Sequence, residues 1–453
     1  MHIFNTIKSV AFVSIGLCLF FCYASLGEPV SIEKVQKASD TFLKLQHFRQ
    51  RQQIRLFSIP GEQQAPAREF TAAALKEIRG DDGTVLAYIA ELEPRGFIAT
   101  SADTDITPII AYSFKNSFPT DEDGKNPLYR MLKQDMKLRR KALAEYDQFN
   151  TTENNNLWNL YADEGTEPPV SQTFQQWPQE NTTSTGGWLQ STWHQASPYN
   201  AFCPIDPVDT NRTYVGCVAT ALAQVVHYHR QCNVTFEEYD SYTTYSGINI
   251  DKDSSIYDFP SFEELNELLA ALRLKYSRQM ELNDTDAAAL SFGCGVAIGM
   301  DYTSEGSGAS PYDARDALRN KFGFYSAEMT GGLSHEFSPV LQENMINRLP
   351  VLLSIGPSDG YGGHALVCDG YNTNGEYHLN FGWGSDHPEE MTEVWYHLPS
   401  DLPADLNIVT EVILNIQPVP PSIDIDSSSL TFYGIPGGES EPETVFIKNN
   451  TGS

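Results

Sequence analysis

Positive charge is scarce in this sequence. Its 453 residues contain 30 Lys and Arg against 59 Asp and Glu, so the net charge at pH 7 is −29. Proteins that bind nucleic acid gain affinity by neutralising phosphates with Lys and Arg, and an excess of carboxylates removes that source of affinity. We therefore expect no nucleic-acid partner, and we interpret the surplus of acidic residues as a feature that keeps the protein soluble.

Long apolar runs are missing after the first residues. Lys8 is followed by an apolar run over residues 10–24 and then by a short segment, 25–27, rich in small residues. A basic start, a short apolar core and a small-residue exit are typical of a secretory signal peptide. No later stretch approaches the roughly 18 consecutive apolar residues of a membrane-spanning helix. The sequence predicts that residues 1–27 are a signal peptide and that the mature protein is secreted or at the cell surface, without a membrane span.

Paired-cysteine motifs are also missing. Five cysteines lie beyond residue 27, namely Cys203, Cys217, Cys232, Cys294 and Cys368. No two of them form a CxxC pair, which argues against a zinc site or a thioredoxin-type site. His227 and His229 are two positions apart on a predicted helix, so they face different directions and cannot share a metal ion. We expect no metal and no cofactor. The odd number leaves at least one thiol free, and a disulfide between Cys203 and Cys232 is an option that the sequence does not fix.

The chain is long enough for two or three domains, because single cores stop growing at roughly 250–300 residues. Residues 28–149 combine helical and strand-like patterns and form a first α+β unit. Residues 150–168 are rich in Asn, Thr, Glu and Asp, which predicts an exposed linker open to proteolysis. Residues 169–418 place helices before antiparallel strands, which again indicates an α+β fold. Residues 419–453 resemble the first strands of an immunoglobulin-like sandwich, although two or three strands cannot close one.

A buried helix is predicted to begin near Cys217. Val218, Leu222, Val225 and Val226 recur at helical spacing behind it. The thiol would then lie at the positive end of the helix, where unpaired backbone N–H groups favour the thiolate, which is the nucleophilic form. This segment alone fits a structural cysteine equally well, since cysteine is among the most buried residue types.

A β-hairpin is predicted around His364. Residues 364–370 form the first strand, 372–375 the turn and 376–381 the return strand. This turn places Asn380 across from residues 364–367, so its amide oxygen can reach the His364 ring and orient it. The glycines before the histidine would let a substrate backbone pass close to the strand.

Taken together, these segments follow the order of a papain-like site. His364 lies 147 positions after Cys217, and an asparagine follows the histidine. The sequence resembles the streptopain family of secreted bacterial cysteine proteases over about residues 28–418. The family motifs are G-C-V-A-T-A-x-A-Q at 216–224, G-G-H-A-x-V-x-D-G at 362–370, N-x-G-W-G at 380–384 and W-x-Q-x-x-P-Y-N at 193–200.

The resemblance implies a papain-like protease of two subdomains behind an N-terminal α+β propeptide domain, with the start of a β-sandwich at the C-terminus. It implies that Cys217 is the nucleophile, that His364 is the general base and that Gln195 donates to the oxyanion. Asn380 would orient the histidine. The implied substrate contacts are Trp383, Phe381, Gly363, Ser307, Gly308 and Ala309.

The expected function is therefore that of a secreted cysteine endopeptidase made as a zymogen, with protein or peptide substrates. Residues 28–149 would act as an intramolecular inhibitor until the linker is cut. Two alternatives remain open from the sequence. One is a thiol amidase or transpeptidase, and the other is a surface interaction protein whose papain-like domain is inert.

Overall fold

The fold is described here from a computed structural model of the chain. It describes residues 29–56, 69–119, 126–146, 151–162, 174–332, 338–356, 363–383, 394–400, 402–420, 423–425 and 447–449. The predicted signal peptide over residues 1–27 lies outside the described residues. Among those described, no helix has both the length and the apolarity needed to cross a bilayer.

The N-terminal unit packs three helices around an antiparallel meander of four strands. Its elements are α1 (Ile32–Leu56), β1 (Thr71–Arg79), β2 (Val85–Glu93), β3 (Phe97–Ser101), β4 (Ile109–Ser113), α2 (Pro127–Glu145) and α3 (Thr151–Ala162). The amphipathic α2 is capped by the Asn126 side chain, which accepts from the backbone N–H groups of Leu128 and Tyr129. The buried face of α2 carries Met131, Leu132 and Met136, among others, into the core of the sheet.

The larger unit has a helical half followed by a strand-rich half. Its elements are β5 (Gln176–Trp177), α4 (Cys217–His229), β6 (Tyr242–Thr243), β7 (Asn249–Ile250), α5 (Ser254–Tyr257), α6 (Phe262–Ser277), α7 (Asp284–Ala297), α8 (Pro311–Asn320), β8 (Ser326–Gly331), α9 (Ser338–Ile346), β9 (Val351–Ile355), β10 (His364–Asn372), β11 (Tyr377–Asn380), β12 (Val394–Tyr396) and β13 (Val409–Gln417). Helix α4 lies at the centre, because its apolar residues pack on α7 and α8 on one side and on β10 on the other. This arrangement confirms the predicted α+β class.

One sheet runs through both units. The strand order is β1-β2-β3-β4-β12-β11-β10-β9-β13-β8, with β5 added beside β10. The two units meet where β4 pairs antiparallel with β12, with Tyr112 opposite Trp395 and Ala111 opposite Tyr396. The N-terminal unit therefore covers a strand edge of the larger unit, and backbone hydrogen bonds help to hold the units together.

The structure differs from the predicted linker at residues 151–162. These residues form helix α3, whose Trp158 is fully buried and donates its Nε1–H to the Ile106 carbonyl at 2.8 Å. The buried indole packs in a cluster with Val30 and Val35. The polar composition is misleading here because Asn154 and Asn155 bind the Asp105 region through their amides. The N-terminal unit extends through Ala162, and the rest of the predicted linker, residues 163–168, lies outside the described residues.

Two further points concern the cysteines and the tail. All five described cysteines are free thiols, so the disulfide between Cys203 and Cys232 is not formed. In the described part of the tail, β14 (Ile423–Ile425) and β15 (Ile447–Asn449) pair antiparallel. The likeness of the tail to the start of a sandwich stays a prediction.

Candidate active site

Helix α4 begins at Cys217 because a glycine precedes it. Gly216 has φ of +88°, a region that favours glycine, and a Cβ added there would lie 2.6 Å from the Met300 methyl carbon. The same added atom would be 3.1 Å from the Ser307 carbonyl. The chain therefore turns tightly against the 301–308 loop and presents the Cys217 thiol at the first residue of the helix, as the sequence predicts.

His364 is the first residue of β10, and β10 packs against α4. Burial, the largest influence, raises the pKa of the Cys217 thiol. The hydrogen bond and the positive charge of His364, together with the backbone N–H groups of Ala365 and Val218, outweigh burial and hold that pKa below its ordinary value. The structure thus brings the predicted nucleophile and the predicted base together, in an environment that favours the thiolate.

This lowered pKa predicts the pH dependence of thiol alkylation. We expect iodoacetamide to alkylate Cys217 of the full chain with a rate midpoint below the value of about 8.5 that is usual for a cysteine. The other four cysteines that the structure describes are buried and burial raises their pKa values, so they should react slowly. Mass spectrometry of the alkylated peptides against pH measures this. His364→Ala should move the midpoint upward, and a wild-type midpoint at or above 8.5 would contradict the assignment.

The far side of the His364 ring is held by a backbone group. Its Nε2 lies 2.7 Å from the Phe381 carbonyl oxygen, so this nitrogen donates a proton and Nδ1 is left to face the Cys217 sulfur. The ring also lies 5.9 Å from the Trp383 ring in an edge-to-face arrangement. The sequence predicted that the Asn380 amide oxygen orients the His364 ring. In the structure the backbone carbonyl of the next residue, Phe381, makes this hydrogen bond.

Asn380 instead organises the turn that carries this carbonyl. Its side-chain oxygen accepts the Gly382 backbone N–H at 3.0 Å. Its amide nitrogen donates to the Ser191 carbonyl at 3.1 Å and to Gln224 Oε1 at 3.2 Å. Asn380 is fully buried, opposite Val367 in the β10–β11 pairing, and it acts on His364 through the backbone.

Gln195 lies beside the nucleophile turn. Its carbonyl accepts the Val215 N–H at 2.9 Å, which ties it to the residue just two positions before Cys217. The segment is held further by Asn200, whose amide donates to the Thr213 carbonyl at 2.9 Å. The predicted oxyanion donor and the nucleophile therefore occupy neighbouring, mutually bonded segments. The oxyanion role of the Gln195 amide stays a prediction.

The predicted substrate contacts divide into two groups. Gly363, Gly308 and Trp383 are exposed, and the 301–308 loop adjoins the nucleophile turn. Phe381 has no exposed surface and belongs to the core of the sheet, so its side chain cannot touch a substrate in this structure.

Ser307 and Ala309 are less accessible than expected. Ser307 is 7% exposed and its hydroxyl is bonded to the Thr303 backbone, while Ala309 is half-buried against the helical core. Their contribution to a substrate site is therefore more through backbone than through side chains, and it stays a prediction.

Helix α2 of the N-terminal unit covers the histidine side of the site. A cavity of about 300 Å³ lies between them, with Gly363, His364 and Trp383 on one wall and Arg130 and Met131 of α2 among the residues on the other. A substrate approaching His364 from this side would meet α2. Among the described residues, no group of His, Cys, Asp and Glu side chains could hold a metal ion.

Sequence reasoning missed two side chains of this site, Ser191 and Gln224. Gln224 is the last residue of the motif at 216–224 and has no exposed surface, although the buried residues of its helix are otherwise apolar except for Thr220. A single amide within an apolar helix was the available signal, because buried polar groups require partners.

Comparisons with known proteins find relatives for both units of the chain. Residues 193–387 match the Peptidase C10 family, and residues 27–139 match the Spi protease inhibitor family. The thiol protease/hemagglutinin PrtT of Porphyromonas gingivalis is 24% identical over 388 residues, which are 79% of this chain and 40% of that protein. Streptopain of Streptococcus pyogenes is 25% identical over 324 residues, which are 66% of this chain and 71% of that protein.

A solved structure is also similar. A fragment of prointerpain A from Prevotella intermedia is 21% identical, with a TM-score of 0.49, and the match covers 77% of this chain and 99% of the fragment. The matched part of this chain spans less than half the length of PrtT.

Proposed function

Because this chain belongs to the peptidase C10 family of cysteine peptidases, with a Spi-type inhibitor domain ahead of the peptidase domain, we propose that it is the zymogen of a secreted cysteine endopeptidase. The observation that carries the proposal is the Cys217 thiol at a helix N-terminus, with its pKa lowered by His364, a histidine whose Nε2 is held by a backbone carbonyl. Residues 1–27 supply the secretion signal in this proposal.

The chemistry follows from the positions of these groups. His364 Nδ1 accepts the thiol proton, and the Cys217 thiolate attacks the carbonyl carbon of a peptide bond. Gln195 and the Cys217 backbone N–H donate to the oxyanion that forms. The C–N bond breaks as His364 protonates the leaving amine, which leaves a thioester on Cys217. Water, deprotonated by His364, then hydrolyses the thioester and releases the acid product.

The N-terminal unit inhibits by covering the site and by sharing the sheet. Besides the β4–β12 pairing, Tyr112 donates its hydroxyl to Glu376 at 3.2 Å, and Lys115 donates to the Ser184 carbonyl at 2.8 Å. Glu376 is buried at this seam, and burial raises the pKa of its carboxyl. The seam is thus partly polar, which suits an interface that must separate on maturation.

Helix α2 adds a buried polar anchor to this seam. Arg139 Nε lies 3.0 Å from both carboxylate oxygens of Asp135, and Arg139 Nη2 donates to the His397 carbonyl at 2.6 Å. The Tyr396 hydroxyl donates to Asp135 at 2.7 Å. We define these four residues as the α2 anchor. It fixes α2 over the histidine side of the site until the chain is cut in the remaining part of the predicted linker, residues 163–168.

Digestion of an unfolded protein tests the proposal. We expect the processed chain to digest casein, and an epoxide thiol trap to block digestion while labelling Cys217 alone among the five cysteines. Labelling without casein digestion would favour the amidase or transpeptidase alternative. No labelling of the processed protein would favour the inert interaction protein.

A further inference from the structure

The contact between the Phe381 carbonyl and His364 depends on a special turn. Asn380 accepts the N–H of the residue two positions on, which is an Asx-turn. Gly382 has φ of +56°, and a Cβ there would lie 2.9 Å from the Thr220 methyl group of α4. The turn therefore requires a glycine, packs directly on the nucleophile helix, and aims the Phe381 carbonyl at His364 Nε2.

Gln224 holds this turn from the nucleophile helix. It lies seven residues after Cys217, which is two helical turns, so it is on the same side of α4. Its Oε1 accepts the Asn380 amide at 3.2 Å, and its Nε2 lies 3.4 Å from Asn380 Oδ1. The two carboxamides thus form a buried pair, joined by two reciprocal hydrogen bonds, between the helix and the turn.

The same Gln224 oxygen also holds the segment that carries Gln195. It accepts the Ser191 hydroxyl at 3.0 Å and the Trp193 backbone N–H at 3.3 Å. Asn380 also contacts this segment, because its amide nitrogen donates to the Ser191 carbonyl. One buried amide therefore contacts the oxyanion segment and the histidine-orienting turn from the helix that begins with the nucleophile.

We propose that Gln224 is a positioning residue that sets the mutual placement of the nucleophile, the histidine and the oxyanion segment. This inference rests on the proposed function. Gln224 acts on His364 through Asn380 and the Phe381 carbonyl. That carbonyl accepts a hydrogen bond from the Nε2–H group and so stabilises the imidazolium that forms when Cys217 loses its proton to His364. We call Gln224 with its partners Asn380, Ser191 and Trp193 the hub. Removing its hydrogen bonds should therefore disfavour the thiolate–imidazolium pair.

Thiol reactivity of the full chain tests this inference without any substrate. In Gln224→Met, iodoacetamide alkylation of Cys217 at pH 6 should be about three- to tenfold slower, with the rate midpoint moved to higher pH. Ser191→Ala removes one of the bonds to Gln224 and should slow alkylation in the same direction by about two- to threefold. Rates are followed by mass spectrometry, and thermal stability is measured in parallel.

Gln231 supplies the matched control. It lies two residues after the end of α4 and is partly buried, and its side chain bonds the Phe322 and Gly323 carbonyls and the Val419 N–H, away from the site. Gln231→Met should lower thermal stability and leave the alkylation midpoint unchanged. Midpoints in Gln224→Met and Ser191→Ala that equal the wild-type value would overturn the proposal, whatever their stability.

Two further outcomes are decisive. Should Gln224→Met fail to fold, Ser191→Ala alone decides, because it removes only a hydroxyl. If the variants shift the alkylation midpoint but the processed wild-type chain does not digest casein, the positioning role of Gln224 is supported and the proposed function fails. If the processed wild-type chain digests casein but the variants show no shift, the positioning role is overturned and the proposed function stands.

Discussion

A chain carrying Cys217→Ser should remain full-length under conditions in which the unaltered chain shortens to its mature form. The hydroxyl of serine is far less acidic than a thiol, and it cannot use an environment that lowers the pKa of a cysteine at this position. Loss of a nucleophile commonly costs a factor on the order of 10⁴ or more in kcat/KM. The expected result is therefore no self-processing over the time in which the wild type is fully processed, measured by the mass of the chain expressed in a protease-deficient host.

The other thiols of the chain supply the control. Cys294 is fully buried in α7, and burial raises its pKa well above the ordinary value. Cys294→Ser removes a sulfur of the same kind without touching the site, so that variant should still process itself. Equal shortening of Cys217→Ser and wild type would mean that another protease performs the maturation.

The helix that begins at Cys217 could be predicted from the sequence, and so could the hairpin that carries His364. The apolar spacing behind Cys217 indicates a buried helix, and the Asn-Gly turn places Asn380 across from residues 364–367, which agrees with its pairing opposite Val367 in the structure. Periodicity and turn chemistry are local, so they survive without knowledge of the rest of the fold.

The group that orients His364 could not be read in the same way. It is the backbone carbonyl of Phe381, and every residue type has one. The sequence marks only the side chains that aim this carbonyl, Asn380 and Gly382, and their effect depends on a turn packed against α4. An assignment by residue type therefore gave the role to the adjacent amide.

The join between the two units was equally hidden. Strand β12 has three residues, and its partner β4 is more than 280 positions away in the chain. Short strands carry little pattern, and their pairing is decided by packing over long separations. The burial of Trp158 in α3 was missed for the same reason, because a mostly polar segment becomes a stable helix only when a pocket exists for its large apolar side chain.

The α2 anchor has an asymmetry that bears on maturation. Its charged residues, Asp135 and Arg139, both belong to the N-terminal unit, whereas the peptidase side contributes a phenol hydroxyl and a carbonyl. When α2 leaves, the mature enzyme therefore retains no unpaired charge at this point, and both neutral groups can be hydrated. The α2 anchor can therefore stabilise the zymogen without leaving an unpaired buried charge in the mature enzyme.

Arg139→Met should release the inhibitory unit early. Asp135 and Tyr396 are fully buried, so the variant leaves a buried carboxylate with the Tyr396 hydroxyl as its remaining partner in the anchor. Removing one partner of a buried ion pair costs about 3–5 kcal/mol. Undocking of α2 lets Asp135 reach water, so the cost falls on the docked state. Docking should weaken on the order of 10²–10³-fold, seen as faster self-processing and as peptidase activity of the uncut chain.

Two variants on the same helix separate charge from packing. Lys137→Met removes an exposed ion pair with Asp81, which is worth little at a surface, and should process at the wild-type rate. Asp135→Leu combined with Arg139→Met removes both buried charges, and replacing a whole buried pair by apolar residues is often neutral or stabilising. The double variant should therefore process more slowly than Arg139→Met alone. A double variant as fast as the single one would show that lost packing of α2, and not a stranded carboxylate, releases the inhibitory unit.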